Sequence, residues 1–481
     1  MKRSLWLLAL IFAIGSVNPA AAKTRLIVRN TLGSVVMNLT CGLLNCNVNR
    51  GLGDPNGQLF SVSFPNTLSG VFNILKLITS PGIAGVEIDQ PVNVLAQASA
   101  SGAPAALYDS APMNYYGTTV RHGYVYQPAN QLVRTLDAQR TFHVAGSGIV
   151  AVIDTGVDTT HPVLRSSLVA GYNFVRNNNN PDEKADLDQS TAAVLDQSTA
   201  AVVDGDNEDA AEVNQSTAAV LDQSTAAVLD GNPAYSDFGH GTMTSGVIHL
   251  VAPRAKIMPL KAFAANGSGY ASDVLRAIYW AANHNAKVIN MSFSFGYPSP
   301  ELTSAVNYAM NRGLICVAAA GNDGRQTMVY PAGINGVMGV ASTDDSDQRS
   351  SFSNYGNSLV WVAAPGEGVV TTYPFGHYAA AWGTSFSTPF VSGAAALLNN
   401  ASPVVNDSIA ETAIANAQPV DPNLHYGRLD VYQAVQGLGT AVTGCSTGGT
   451  VVTSSNMTVN MNCNISGGNT QGLLQSLLGS L

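Results

Sequence analysis

The sequence predicts an α/β fold built on a central parallel sheet. Two apolar runs, at 148–153 and 314–318, lack the polar–apolar alternation of a sheet that has one face in water. Such runs are typical of parallel strands that helices cover on both faces. A stretch of small and apolar residues at 390–398 suits a helix packed at the centre of that sheet.

The first 22 residues have the pattern of a secretory signal peptide. Lys2 and Arg3 precede an apolar stretch at 5–14, which is too short to span a bilayer. Ala20 and Ala22 then offer an A-x-A cleavage site. We therefore expect export without a membrane anchor. The alternative is a buried N-terminal helix.

Residues 23–110 read as a separate small α+β module with a linker. Strand-like runs occur at 24–29, 60–64 and 83–89, and the stretch 96–106 is small and polar. The alternative is an ordinary N-terminal domain.

An insert at 187–230 repeats an eight-residue unit that begins Leu187-Asp188-Gln189. The period matches neither a helix nor a strand, so we expect a partly ordered surface excursion. Acidic residues at 204–209 could bind calcium, although a solvated acidic loop is the favoured interpretation. The final residues, 438–481, are rich in Gly, Ser, Thr and Asn and predict a short β-rich extension.

The five cysteines fit an exported chain. Cys41 lies near Cys46, and Cys445 lies near Cys463, which favours two local disulfides. Cys316 lies in a predicted core strand and is expected to be a buried free thiol. No cysteine or histidine cluster has the spacing of a zinc site. The net charge of −9 gives no reason to expect a nucleic-acid partner.

Four short blocks carry the groups needed for acyl transfer through a serine nucleophile: Asp-Thr-Gly at 154–156, Gly-His-Gly-Thr at 239–242, Ala-Gly-Asn at 320–322 and Gly-Thr-Ser at 383–385. Ser385 is the candidate nucleophile, His240 its base and Asp154 the carboxylate that orients the imidazole. The Asn322 side chain and the backbone N–H of Ser385 are the candidate oxyanion donors. Each residue alone fits a turn or a cap, but four blocks in one order do not.

The blocks and their order, Asp then His then Ser, resemble those of the subtilisin-like serine proteases, or subtilases. The resemblance runs from about 123 to 435. Related sedolisins have Glu where this chain has His240 and Asp where it has Asn322, which argues against that branch.

The resemblance implies a subtilisin-like three-layer fold over 111–437 and a secreted, monomeric serine endopeptidase that cleaves proteins or peptides without a cofactor. The module at 23–110 then resembles an inhibitory prodomain that the enzyme removes from its own precursor. A catalytically silent binding protein on the same fold, or a secreted structural protein built around the repeat, are the alternatives.

The resemblance also predicts the walls of a pocket for medium-sized apolar side chains, with Asp323 at its rim. The expected lining residues are Ser292, Phe293, Ser294, Ala320, Gly321 and Val329. No metal ligand is assigned. The usual calcium site of the family is not supported, because Val163 stands where a ligand Asp is common.

Overall fold

A sheet of seven parallel strands forms the centre of this computed structural model, which describes residues 23–94, 103–187, 218–220 and 233–442. The elements of the first part of the chain are β1 (Lys23–Asn30), α1 (Gly33–Leu44), β2 (Asn47–Gly51), β3 (Leu59–Pro65), α2 (Leu68–Ile78), β4 (Ile83–Ile88), β5 (Pro91–Asn93), α3 (Ala105–Tyr108), β6 (Pro112–Tyr115), β7 (Thr118–Arg121), α4 (His122–Tyr126), α5 (Pro128–Leu132) and α6 (Thr135–Phe142).

The larger, second part supplies the central sheet and the helices around it. Its elements are β8 (Ile149–Asp154), β9 (Tyr172–Asn173), a 3₁₀ turn (Glu183–Asp186), β10 (Ala218–Val220), α7 (His240–Val251), β11 (Lys256–Lys261), β12 (Ser268–Tyr270), α8 (Ala271–Asn283), β13 (Ala286–Met291), α9 (Pro300–Asn311), β14 (Ile315–Ala319), β15 (Met338–Thr343), β16 (Val362–Pro365), β17 (Val369–Tyr373), β18 (His377–Ala381), α10 (Thr384–Ala401), α11 (Asp407–Ile414) and α12 (Val431–Val442).

The central sheet has the order β16-β15-β14-β13-β8-β11-β9. Its strands are buried on both faces. Val150 and Val152 of β8 pack with the cluster that contains α7 and α10, whereas Ala151 and Ile153 pack with the cluster that contains α8 and α9. The two predicted core strands are therefore confirmed, and the sheet lies between two helical layers as the three-layer prediction requires.

Helices α7 and α10 pack closely on one face of the sheet. Their contact is possible because Gly393 of α10 has no side chain. A Cβ built there would lie 2.6 Å from Cβ of Val251 on α7. The first residue of α7 and the second of α10 carry two of the predicted site side chains, so this contact helps to set the distance between them.

The N-terminal module is an antiparallel sheet of order β2-β3-β1-β4 with two helices. The predicted strands at 24–29, 60–64 and 83–89 are confirmed as β1, β3 and β4, whereas β2 was not predicted. Cys41 and Cys46 form a disulfide, and Cys316 is a buried free thiol in β14.

The chain that leaves the module runs onto the larger part. Strand β5 pairs antiparallel with β12, and Val94 forms an antiparallel bridge with Phe293. After residues 95–102, helix α3 already packs on the main core through Leu107. The domain boundary predicted near 110 stays a prediction.

Several sequence predictions lie outside the described residues. They concern the signal peptide at 1–22, most of the repeat insert at 187–230 with its acidic residues at 204–209, and the extension beyond 442 with Cys445 and Cys463. Within the insert, β10 pairs antiparallel with β18. In the part of the chain that is described, no helix is long and apolar enough to cross a membrane.

Replacing Gly393 by Ala should destabilise the protein, because the added Cβ would collide with Val251 where α7 meets α10. We expect the free energy of unfolding to fall by roughly 1–3 kcal/mol, the usual cost of overpacking. Denaturant unfolding of the full chain measures the change.

Gly42→Ala is the matched control. It adds a Cβ to a helical glycine of α1 at which that atom would meet nothing within 4 Å. This variant should keep or raise the free energy of unfolding, by about 0.4–1 kcal/mol at most. Equal stabilities of the two variants would contradict the close contact between α7 and α10.

Candidate active site

The predicted site residues gather at the carboxyl ends of neighbouring strands. Asp154 is the last residue of β8, Ser292 follows β13, and Asn322 lies three residues after β14. Strands β8, β13 and β14 are adjacent and parallel, so these residues share one edge of the sheet. Open α/β sheets place their sites at this edge.

Asp154 and His240 form a buried hydrogen-bonded pair. Nδ1 of His240 lies 2.7 Å from Oδ1 of Asp154, and each side chain is 1% exposed. The carboxylate also accepts from the backbone N–H of Thr155 at 2.7 Å and from the hydroxyl of Thr244 at 3.2 Å. Since a carboxylate accepts the Nδ1 proton, the neutral imidazole presents Nε2 as an acceptor. Nε2 is buried and has no hydrogen-bond partner among the residues that the structure describes.

The environment of His240 favours its charged form. Burial opposes the charge, but the attraction and hydrogen bond of Asp154 outweigh it, and the pKa of His240 is raised above its usual 6.5. Asp237 and Glu183 add to the negative potential at the ring. The site therefore stabilises an imidazolium, which is what a base that receives a proton needs.

Ser385 is the second residue of α10. Its Oγ donates to the backbone carbonyl of Ser292 at 3.0 Å, and the hydroxyl of Ser292 donates to the carbonyl of Ser385 at 2.8 Å. The neighbouring ring of Phe386 packs against His240, with 5.3 Å between ring centroids. The expected residues thus meet, but the serine hydroxyl is turned toward Ser292. Transfer of its proton to Nε2 of His240 requires the hydroxyl to leave the carbonyl of Ser292.

The side-chain amide oxygen of Asn322 accepts hydrogen bonds from Thr384. Oδ1 accepts from the backbone N–H of Thr384 at 3.0 Å and from its hydroxyl at 2.8 Å. This fixes Nδ2 as the outward end of the amide. A Cβ built at Gly383, whose φ is +138°, would lie 3.2 Å from that nitrogen. Glycine therefore keeps the space beside the amide donors open.

The residues predicted to line the pocket lie in three stretches of the chain, 292–294, 320–321 and 329. Five of them, Ser292, Phe293, Ala320, Gly321 and Val329, are buried. Ser294 is half-buried, and Asp323 is exposed. Phe293, Ala320 and Val329 belong to one apolar cluster.

Asn354 is a residue of this region that the sequence did not reveal. Its buried amide donates to the carbonyl of Ala320 at 3.0 Å and accepts from the N–H of Asp323 at 3.1 Å. Its own N–H donates to the carbonyl of Gly321 at 2.9 Å. Asn354 therefore holds the loop that presents Asn322. It lies far from that loop in sequence, and no local pattern marks it.

Among the described residues, no group of three or more His, Cys, Asp or Glu side chains is arranged to hold a metal ion. The side chains gathered at the edge are those of serine-dependent acyl transfer: a carboxylate, an imidazole, a hydroxyl and an amide donor.

The chain is similar to known serine proteases. The model of the subtilase family, peptidase S8, matches residues 146–435. Thermitase of Thermoactinomyces vulgaris is 36% identical over 317 residues, which cover 63% of this chain and 94% of thermitase. A thermophilic serine proteinase of Bacillus sp. strain AK1 is 33% identical over 323 residues, which cover 66% of this chain and 68% of that protein.

A solved structure shares the fold. Fervidolysin of Fervidobacterium pennivorans, described as a keratinolytic enzyme related to subtilisin, superposes with a TM-score of 0.64 at 22% identity. The match covers 88% of this chain and 62% of fervidolysin. With the family match over 146–435 and the identity to thermitase, this chain belongs to the subtilase family and is a serine-type endopeptidase.

Proposed function

We propose that the chain is the exported precursor of an endopeptidase in which Ser385 attacks the substrate, His240 carries the proton and Asp154 orients the imidazole. The observation that supports this most directly is the buried hydrogen bond between Asp154 and His240, 2.7 Å long, at the sheet edge where α10 begins with Ser385. Export rests on the signal-like sequence at 1–22.

In this mechanism the Ser385 hydroxyl leaves the carbonyl of Ser292 and turns to Nε2 of His240. As Oγ bonds to the peptide carbonyl carbon, its proton passes to Nε2, and Asp154 stabilises the resulting imidazolium. His240 then protonates the departing amine as the C–N bond breaks. Water, activated by the same nitrogen, hydrolyses the acyl-enzyme. No cofactor takes part in these steps.

The tetrahedral oxyanion needs donors that are already in place. Nδ2 of Asn322 supplies one, because Thr384 occupies the amide oxygen. The backbone N–H of Ser385 supplies the other. It belongs to the first turn of α10, whose N–H groups point out of the helix and whose dipole favours negative charge.

A substrate would bind as an extended strand between β12 and the segment 292–294. Residues 91–94 of the precursor lie along these two edges. Val94 donates its N–H to the carbonyl of Gly267 at 2.9 Å and bridges Phe293. Pocket walls formed by Phe293, Ala320 and Val329 favour medium-sized apolar side chains, in keeping with the apolar cluster they share.

The N-terminal module acts as an intramolecular inhibitor in this proposal. The antiparallel bridge between Val94 and Phe293 places the end of the described part of the module beside Ser292, whose carbonyl contacts Ser385. We therefore expect the self-cleavage to fall within residues 95–102. The module is also held by charges, since Arg29 binds the carboxylate of Glu301 at the start of α9.

Ser385→Ala tests the proposed function. The variant should have no peptidase activity and should keep its prodomain attached, because the nucleophile for both reactions is gone. Expression without other proteases, followed by N-terminal sequencing, measures this. Ser387→Ala is the control: this buried hydroxyl of the same helix has no hydrogen-bond partner in the described part of the chain, so processing should persist. Normal processing of Ser385→Ala would refute both the nucleophile and the self-cleavage.

Asp154→Asn should lower the pKa of His240. The change removes the attraction and the charged hydrogen bond that raise this pKa, and leaves the burial that lowers it. We expect the pKa to fall below the usual 6.5 and kcat to fall by roughly 10⁴-fold, as in other serine triads. NMR titration of the imidazole in a Ser385→Ala background measures the pKa. Asp323→Asn, which removes an exposed carboxylate, should leave it unchanged.

Docking of the prodomain should weaken as the pH rises from 5.5 to 8. Glu87 of the module accepts from the Ser299 hydroxyl at 2.8 Å. Burial raises the pKa of Glu87 from 4.5 to about 7, and the like charges of Glu301 and Asp89 add to the shift. The docked form therefore holds its proton more tightly than the free form. The resulting contribution to the binding free energy of the module is fully present below pH 4.5 and is lost as the pH rises through about 7.

Gel filtration of the processed protein at the two pH values measures how much prodomain co-elutes with the enzyme. We expect about tenfold weaker binding at the higher pH. Glu87→Gln, which cannot ionise, should flatten the dependence. Tighter binding at pH 8, or the same slope in Glu87→Gln, would contradict the role of this carboxyl group.

A further inference from the structure

One buried carboxylate beside the triad is not used by the proposed mechanism. Glu183 opens the 3₁₀ turn just before the repeat insert and has 0% exposure. It lies far in sequence from both the Asp154 block and the His240 block. Burying a carboxylate is costly unless its oxygens are hydrogen-bonded, so its partners indicate what it does.

Glu183 contacts the Asp154 segment through Thr155. The Thr155 hydroxyl donates to Oε2 of Glu183 at 3.1 Å, and the Thr155 backbone N–H donates to Oδ1 of Asp154 at 2.7 Å. The same threonine oxygen accepts the N–H of Gly241, which directly follows His240, at 2.9 Å. One threonine thus joins Glu183, Asp154 and the helix that carries His240.

Glu183 also binds residues on both sides of His240. The N–H of Gly239 donates to Oε2 at 3.1 Å, and the Thr242 hydroxyl donates to Oε1. The Thr242 oxygen in turn accepts the N–H of Asp158 at 2.7 Å. The carboxylate therefore ties the turn before His240 and the first turn of α7 to the segment that follows β8.

The charges that face Glu183 come from several elements. Lys261 of β11 donates to the carbonyl of Thr155 and is paired with Asp186 at 2.7 Å. Burial raises the pKa of Glu183 to about 7; the Thr242 hydrogen bond and Lys261 oppose this, and Asp154 adds to it. The buried phenol of Tyr373 also feels its charge. At the ring of His240, Glu183 and Asp237 add to the effect of Asp154.

We propose that Glu183 is a positioning residue for peptide hydrolysis, which fixes the His240 turn against Asp154 and adds its charge to the field that stabilises the imidazolium. The inference rests on the proposed roles of Asp154, His240 and Ser385. A neutral amide could satisfy some of the same donors at a lower desolvation cost. The presence of a carboxylate here therefore fits a role in which its charge, as well as its geometry, contributes to the site.

Glu183→Gln separates the two contributions. The variant should lower kcat roughly 10- to 100-fold, as small misplacements of catalytic groups do, and leave KM nearly unchanged. KM is spared because Glu183 contacts neither β12 nor the segment 292–294. The acid limb of the kcat/KM profile should move to lower pH, because His240 loses the negative charge that Glu183 carries above about pH 7. Glu183→Asp, which keeps the charge but shortens the reach, should lower kcat without moving that limb.

Asp186→Asn is the matched control. It removes a carboxylate of the same turn that pairs with Lys261, but Asp186 is bonded to none of Thr155, Gly239 and Thr242. It should lower thermal stability and leave the acid limb in place. A shift of the limb in this control equal to that in Glu183→Gln would overturn the specific role of Glu183.

NMR titration of His240 in the inactive Ser385→Ala background gives a readout that does not need activity. In that background, Glu183→Gln should lower the pKa of His240, and Glu183→Asp should preserve it. The aspartate variant provides the measurement if the amide variant fails to fold. An unchanged pKa with Gln, or a lowered pKa with Asp, overturns the proposal. Activity that persists in Ser385→Ala refutes the proposed function instead, so the two failures are distinguishable.

Discussion

The site depends on burying one hydrogen-bonded pair, Asp154 and His240, away from the surface. Burial penalises the charge of the carboxylate, and the pair is kept because donors surround it: Nδ1 of His240, the N–H of Thr155 and the hydroxyl of Thr244. These donors come from the end of β8 and the start of α7. The helix must therefore lie directly on the strand end, with α10 close beside it.

That close packing explains the glycines of the region. A Cβ at Gly241 would lie 1.9 Å from the carbonyl oxygen of Gly156, and one at Gly246 would lie 2.2 Å from the Thr372 hydroxyl. Gly393 likewise leaves room for close packing where α10 meets α7. Gly241 and Gly246 of α7 and Gly393 of α10 thus allow close contact between segments. A larger residue at these positions would separate the groups proposed to exchange the proton.

The sequence predicted the parts of the site that are written as contiguous blocks. Asp154, His240, Asn322 and Ser385 each have neighbours that mark them, and the two core strands have unmistakable apolar runs. Glu183, Asn354 and Lys261 were missed because each acts through contacts between segments far apart in sequence. Nothing local distinguishes Glu183 from the other acidic residues before the repeat. The rotamer of Ser385, turned to the carbonyl of Ser292, likewise depends on packing that no motif records.

In the proposed mechanism, a rise in pH has two effects that both favour activity: it deprotonates His240 at the site, and it deprotonates Glu87 at the interface with the proposed prodomain. Catalysis as proposed needs His240 neutral, and its raised pKa delays that state until the proton is lost at higher pH. Docking as proposed is best with Glu87 protonated, and the pKa of about 7 extends that state toward neutrality. Acid conditions would therefore keep the base charged and the inhibitor bound together. Rising pH would free the cleft and the base over one range, so the two buried groups would reinforce a single transition from latent to active enzyme.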